Sequence, residues 1–229
     1  MARGVVSAFI SLCLLLVVLP ATGKNRHAYP FADYAAYLAP AQEFESWYEV
    51  VARQQSQRDA LLACASEPKR CRRGRLRSFH RVMERSRDLS RREQVELVNY
   101  YINRNRYDED FPRRIYDENG RRIGSIRNHW TTLYDFLASD GDCEDYATSK
   151  YFMLREMGFE AQNLRVVIVY SRELRGYHAV VAVRLDDDEV WLLDSDNRIR
   201  KGSHREYRYV YALNEDSVWD HRDDYRRSP

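Results

Sequence analysis

The chain changes character at one cysteine. Cys143 follows an Asp140-Gly141 break and stands among acids in the run Gly141-Asp142-Cys143-Glu144-Asp145-Tyr146-Ala147. Behind it, Ala147, Tyr151, Leu154 and Met157 recur at the helical period, and Gly158 stands where such a helix would stop. Patterns before this point are mostly helical, and those after it are strand-like. That order predicts an α+β fold with Cys143 at the start of a central helix.

Upstream, 43–64 has helical spacing through Phe44, Trp47, Val51, Leu61 and Leu62, and 76–87 is a second helical stretch. The third is the best marked. Ser90-Arg91-Arg92-Glu93 is a capping box, and Val95, Val98, Tyr101 and Ile102 follow at the helical period. These three helices are expected to pack together. The region 105–125 is turn-rich; Asn119-Gly120 signals a tight turn, but its flanks alternate too weakly to predict a hairpin. A short helix is expected over 130–137. Downstream, 164–170, 179–183, 190–193 and 207–213 read as strands of an antiparallel meander. No repeat or low-complexity linker interrupts the pattern, so 24–229 is read as one domain.

The first 23 residues read as a leader. Arg3 supplies a positive start, 5–19 is apolar except for two serines, and Pro20-Ala21-Thr22-Gly23 offers small residues for cleavage. The apolar run is about 15 residues, short of the roughly 20 that a spanning helix needs. Export with cleavage is therefore expected, and Cys13 leaves with the leader. The formal net charge is +2, so no bulk field points to nucleic acid. Basic residues do cluster over 70–92, but the whole chain carries 33 arginines against 4 lysines. That bias reads as a solvated helical face, not a binding site.

Three cysteines remain beyond the leader. In an oxidising compartment Cys64 and Cys71 are expected to form a disulfide around Glu67-Pro68, which leaves Cys143 as the odd thiol. At a helix N-terminus, unpaired N–H groups and the dipole favour thiolate. His178 opens the 179–183 strand, and Asp194 ends the 190–193 run. Thiol, imidazole and carboxylate in that order are the parts of a nucleophile, its base and an orienter. If the two strands form a hairpin, a loop of 185–187 opposes His178 to Asp194, and a loop of 186–188 opposes it to Asp196. Asp194 is preferred because it ends a buried run. Asp142 and Glu144 beside a thiolate would raise its pKa through like charge. A hard cation such as Ca²⁺ bound by these carboxylates would offset them.

The cysteine run, the His178-Ala179-Val180 strand start and the Leu193-Asp194 strand end resemble the bacterial transglutaminase-like cysteine proteinases. The similarity covers roughly 90–219. It implies a papain-like, transglutaminase-like α+β fold, with N-terminal helices and the catalytic cysteine at a helix N-terminus packed on an antiparallel sheet. It further implies Cys143 as nucleophile, His178 as base, Asp194 as orienter, and Asp142 and Glu144 as calcium ligands. The implied setting is the periplasm. The implied substrate is a large surface adhesin, with an inner-membrane cyclic-di-GMP receptor controlling release from the biofilm. The family commonly has Asp-Asn after the apolar run, whereas this chain reads Asp194-Ser195-Asp196-Asn197. The leading expectation is an exported Ca²⁺-dependent cysteine endopeptidase. Its rivals are a protein transglutaminase on the same triad and a non-catalytic module that binds a surface protein.

Overall fold

A computed structural model describes residues 30–31, 36–71, 73–110, 113–126, 129–202 and 204–222. The expected leader, 1–23, lies outside the described residues. In chain order the elements are β1 (Ala36–Pro40), α1 (Glu45–Ser66), α2 (Leu76–Ser86), α3 (Arg91–Ile102), β2 (Arg113–Tyr116), β3 (Arg122–Ile126) and α4 (Leu133–Ala138). Then come α5 (Cys143–Glu156), β4 (Leu164–Ser171), β5 (Gly176–Arg184), β6 (Val190–Leu193), β7 (Ile199–Lys201), β8 (Tyr207–Leu213) and β9 (Ser217–Asp220). The result is α+β, as the order of patterns predicted. Among the described residues no helix is long and apolar enough to cross a membrane.

The helices start and stop where local chemistry dictates. Glu93 Oε2 accepts the Ser90 N–H at 2.8 Å while Ser90 Oγ accepts the Glu93 N–H at 3.4 Å, closing the expected capping box of α3. Thr132 caps α4 by accepting the Asp135 N–H at 3.1 Å. Gly158 ends α5 with φ +84°, a left-handed conformation that glycine adopts freely. The α1–α2 turn is closed by the Cys64–Cys71 disulfide, with Cα atoms 5.4 Å apart and both cysteines buried.

Helix α5 is the axis of the molecule. Every residue from Glu144 to Leu154 is buried, although the sequence shows apolar periodicity on one face only. The reason is position: α5 lies on β4 and β5 and is flanked by α3 and α4. Trp47 of α1 stacks on Phe152 with ring centroids 5.8 Å apart, and its Nε1–H donates to the Asn214 carbonyl at 2.7 Å. That one buried ring ties α1 to α5 and to the β8–β9 turn.

The sheet departs from a simple meander. Its order is β1-β9-β8-β4-β5-β6-β7, all antiparallel, so only β4 to β7 meander and β8 returns to pair with β4. The physical cause is β4 itself. Its apolar residues are buried on both faces, so it is suited to the sheet interior and not to an exposed edge. The edge strands β1 and β7, and β9 just inside β1, are short, and no periodic signal announced them. The Asn119-Gly120 turn does close a hairpin, β2 with β3, with Gly120 at φ +75°. Strand β5 begins at Gly176, so His178 lies inside it opposite Val169, not at its first position.

Candidate active site

The geometry of the cysteine run follows from crowding at the start of α5. Asp142 is the N-cap, Cys143 the first helical residue, and Asp145 the third. Asp145 is 1% exposed; its carboxylate accepts the Thr131 N–H at 2.7 Å, the Thr131 hydroxyl at 2.8 Å and the Asp142 N–H at 3.2 Å. It therefore fastens the helix start to the segment before α4. Burial nevertheless pushes its carboxyl up to about 6, against the pull of the Thr131 bonds. Gly141 is there for space. A Cβ at that position would come within 2.3 Å of Asp145 Oδ2, closer than any contact allows. Tyr107 bridges to Gly141, and the Asp108 N–H donates to the Gly141 carbonyl at 2.9 Å, laying the post-α3 segment alongside.

Asp142 forms a capping box with Asp145, but neither acid beside Cys143 is saturated by capping. One Asp142 oxygen accepts the Asp110 N–H at 3.2 Å; the other, Oδ1, is buried and has no partner. Single ligand atoms of Asp142, Cys143 and Glu144 all lie within 4.8 Å of one another. Burial first, and the Asp142 carboxylate second, push the Glu144 carboxyl up to about 8. The Cys143 Sγ–H donates to Glu144 Oε2 at 3.2 Å. Burial, then the Glu144 charge, raise the thiol well above its ordinary value, while the Ala179 N–H beside it favours thiolate. The sulfur thus lies against β5 at the peptide that follows His178. Its proton is engaged by Glu144, and no hydrogen bond joins it to the His178 ring.

His178 and Asp194 are in direct contact. Nε2 of the ring lies 2.6 Å from Asp194 Oδ1, and both side chains are about 6% exposed. The carboxylate is held at every lone pair. Oδ1 also accepts the Ser195 N–H at 2.6 Å, and Oδ2 accepts Arg200 Nη1 at 3.1 Å and the Tyr207 hydroxyl. Burial works against the Asp194 charge, but the His178 and Tyr207 bonds and the Arg200 charge outweigh it. They hold the carboxyl well below the usual carboxylate range. Asp196 turns outward instead, to Arg200 Nη2 at 2.8 Å. The residues that brace Asp194 escaped the sequence reading. Arg200 and Tyr207 sit on short or weakly alternating strands, and a single arginine among 33 carries no signal.

A neutral ring whose Nε2–H donates to a carboxylate leaves Nδ1 free to take up and return a proton. A thiol at a helix start beside such a ring is suited to attack on a carbonyl. The comparisons agree with this chemistry. The family model for bacterial transglutaminase-like cysteine proteinases matches residues 60–224, from within α1 to just past β9. Three solved structures of Legionella pneumophila LapG share the fold. The calcium-bound form has a TM-score of 0.56 and 23% identity, covering 70% of this chain and 87% of that one. The EGTA-treated form has a TM-score of 0.56 and 23% identity, covering 71% and 86%. A third has a TM-score of 0.55 and 24% identity, covering 70% and 87%. No curated protein matches the chain significantly. With the family model spanning the whole of α5 and the sheet from β4 to β9, the chain belongs to the bacterial transglutaminase-like cysteine proteinases and is a transglutaminase-like cysteine peptidase.

Proposed function

We propose that the chain is an exported, calcium-dependent cysteine endopeptidase with Cys143 as nucleophile, His178 as general base and Asp194 as the residue that orients it. The observation that carries the reading is the 2.6 Å contact between His178 Nε2 and Asp194 Oδ1, together with a helix-start thiol that meets the N–H of Ala179, the residue after His178. In the first half-reaction His178 Nδ1 takes the thiol proton, and the sulfur bonds to the peptide carbonyl carbon. The imidazolium then gives that proton to the departing amine as the C–N bond breaks. In the second half, water loses a proton to His178 and attacks the thioester; the C–S bond breaks and the thiol is restored. The helix-start N–H groups of α5 would supply hydrogen-bond donors to the oxyanion.

Asp142 and Glu144 fit a hard divalent cation. A buried, partnerless Asp142 oxygen beside a second buried carboxylate is a donor set that calcium satisfies through oxygen. These two residues would hold it, with backbone carbonyls or water completing the shell. When bound, the ion supplies positive charge next to the thiol and takes up the carboxylate charge that otherwise holds the thiol proton. That LapG has been solved both calcium-bound and EGTA-treated supports this assignment. From the family resemblance we extend the reading to a periplasmic enzyme that cuts a large surface adhesin and so promotes release from a biofilm. An inner-membrane cyclic-di-GMP receptor would govern access to it.

The test is to incubate the protein with candidate surface proteins, with and without calcium chelation, beside a Cys143→Ala variant, and to map new termini by mass spectrometry. New termini in calcium alone, absent from Cys143→Ala, are expected. Amine incorporation without new termini would replace hydrolysis by transfer.

A further inference from the structure

Helix α5 carries a lysine where a helix of this kind has no evident use for one. Lys150 lies seven residues beyond Cys143, two turns along the same face, and is 1% exposed. Its neighbours in sequence, Ser149 and Tyr151, are fully buried too. An ammonium group in such a place is costly unless something specific compensates it. Its one hydrogen-bond acceptor is the backbone carbonyl of Asp194, at 2.7 Å. The Tyr146 ring centroid lies 5.8 Å from Nζ, at the outer end of the range for a cation–π contact. Asn103, at the end of α3, donates its Nδ2–H to the same carbonyl at 2.8 Å. Two side chains from two helices therefore converge on one main-chain oxygen, at the point where β6 has ended and the chain turns away.

The convergence matters because the hairpin does not by itself deliver Asp194 to His178. The last β5–β6 pair is Val181 with Leu193, and beyond it no ladder bond fixes the chain. The Asp194 carboxylate is held by His178, Ser195, Arg200 and Tyr207, all from the sheet or its turns. Only the carbonyl is tied to the helical layer. The Lys150 bond is thus a direct strut between the helix that carries the thiol and the residue that holds the imidazole.

Resting on the assignment of Cys143, His178 and Asp194 above, we propose that Lys150 is a positioning residue, which sets the distance between the Cys143 helix and the His178–Asp194 pair through the Asp194 carbonyl. Asn103 is its auxiliary on the same oxygen. Burial lowers the Lys150 ammonium to about 7, with Asp194 and Asp196 opposing it, but either protonation state donates to a carbonyl. The strut therefore does not depend on the charge.

A double-mutant cycle separates positioning from general support. Full-length wild type, Lys150→Met, His178→Ala and the double variant are treated with iodoacetamide at pH 7 in one calcium-containing buffer. Alkylation of the Cys143 peptide is followed by mass spectrometry, which distinguishes it from Cys13. Lys150→Met keeps the chain length and removes the donor. It is expected to slow Cys143 alkylation by about tenfold or more, since small misplacements of a reacting pair have effects of that order. In the His178→Ala background the same change is expected to have no further effect. An equal slowing in both backgrounds would overturn the proposal and reduce Lys150 to support of the helix. If His178→Ala itself leaves alkylation unchanged, the triad assignment fails, and the strut has nothing to act through. Should Lys150→Met not fold, Asn103→Ser removes the second donor at a half-buried site and enters the same cycle, with a smaller slowing that must again vanish without His178.

Discussion

His178 Nε2 lies 2.6 Å from Asp194 Oδ1, although the β5–β6 ladder, continued past its last pair, would place position 178 opposite position 196. The ladder follows the 186–188 loop, and yet the partner is Asp194. The chain leaves β6 after Leu193 and turns, with Asn197 at φ +66°, so register stops deciding and side-chain reach takes over. Asp194→Asn keeps the shape and removes the charge. It is expected to lower turnover by at least about a hundredfold, in line with the loss of a triad carboxylate elsewhere. Asp196→Asn, which removes a partly exposed ion pair with Arg200, is expected to stay within a few-fold of wild type. Steady-state cleavage by the two variants, side by side, checks this.

The same carboxylate predicts a pH dependence of stability. Its folded-state pKa is depressed, so its contribution is fully present above the unfolded value of about 4 and is lost as pH falls through the lower folded value. Urea midpoints of wild type and Asp194→Asn, measured from pH 6 down to pH 2, should differ by a constant amount above about pH 5 and converge below about pH 4. A gap that widens on acidification would contradict the assignment of the shift.

Calcium should stabilise the fold through Asp142 and Glu144. A ligand at a hundred times its dissociation constant adds about 2.7 kcal/mol, which for a domain of this size raises the melting temperature by roughly 5–10 °C. Wild type is expected to show such a rise with calcium and its reversal with a chelator. Asp142→Ala with Glu144→Gln is expected to show neither, as read by differential scanning calorimetry.

The disulfide closes the turn between α1 and α2, elements that carry none of Cys143, His178 and Asp194. Cys64 and Cys71 close a loop of about eight residues, for which chain entropy gives about 2–3 kcal/mol. Cys71→Ser should lower unfolding stability by about that amount in a denaturant titration. Alkylation of Cys143 in native conditions should be unchanged.

The site was legible in the sequence to the extent that local rules govern it. The helix start at Cys143 follows from a glycine, an N-cap acid and apolar spacing, all within a few residues. The capping box at Ser90 and the disulfide at Cys64–Cys71 are likewise short-range. What could not be read depends on tertiary placement. Lys150 looks like an ordinary helix lysine until α3, α4 and the sheet close around it, although its place between Ala147 and Tyr151 on the apolar side was a signal. Arg200 and Tyr207 reach Asp194 from β7 and β8, and β8 lies beside β4 for reasons of strand burial that no periodicity encodes. Gly141 read as a break in the chain, but the structure shows that its lack of a side chain makes room for Asp145.

During hydrolysis the Cys143 sulfur should become covalently bonded to substrate. The direct measurement is acid quench during turnover of a cleaved surface protein, followed by intact-mass and peptide mass spectrometry of the enzyme. A transient mass gain equal to the N-terminal substrate fragment less one water is expected, carried on Cys143 as a thioester. In Cys143→Ala there should be neither adduct nor new substrate termini. Cleavage that proceeds undiminished in Cys143→Ala would contradict that covalent step.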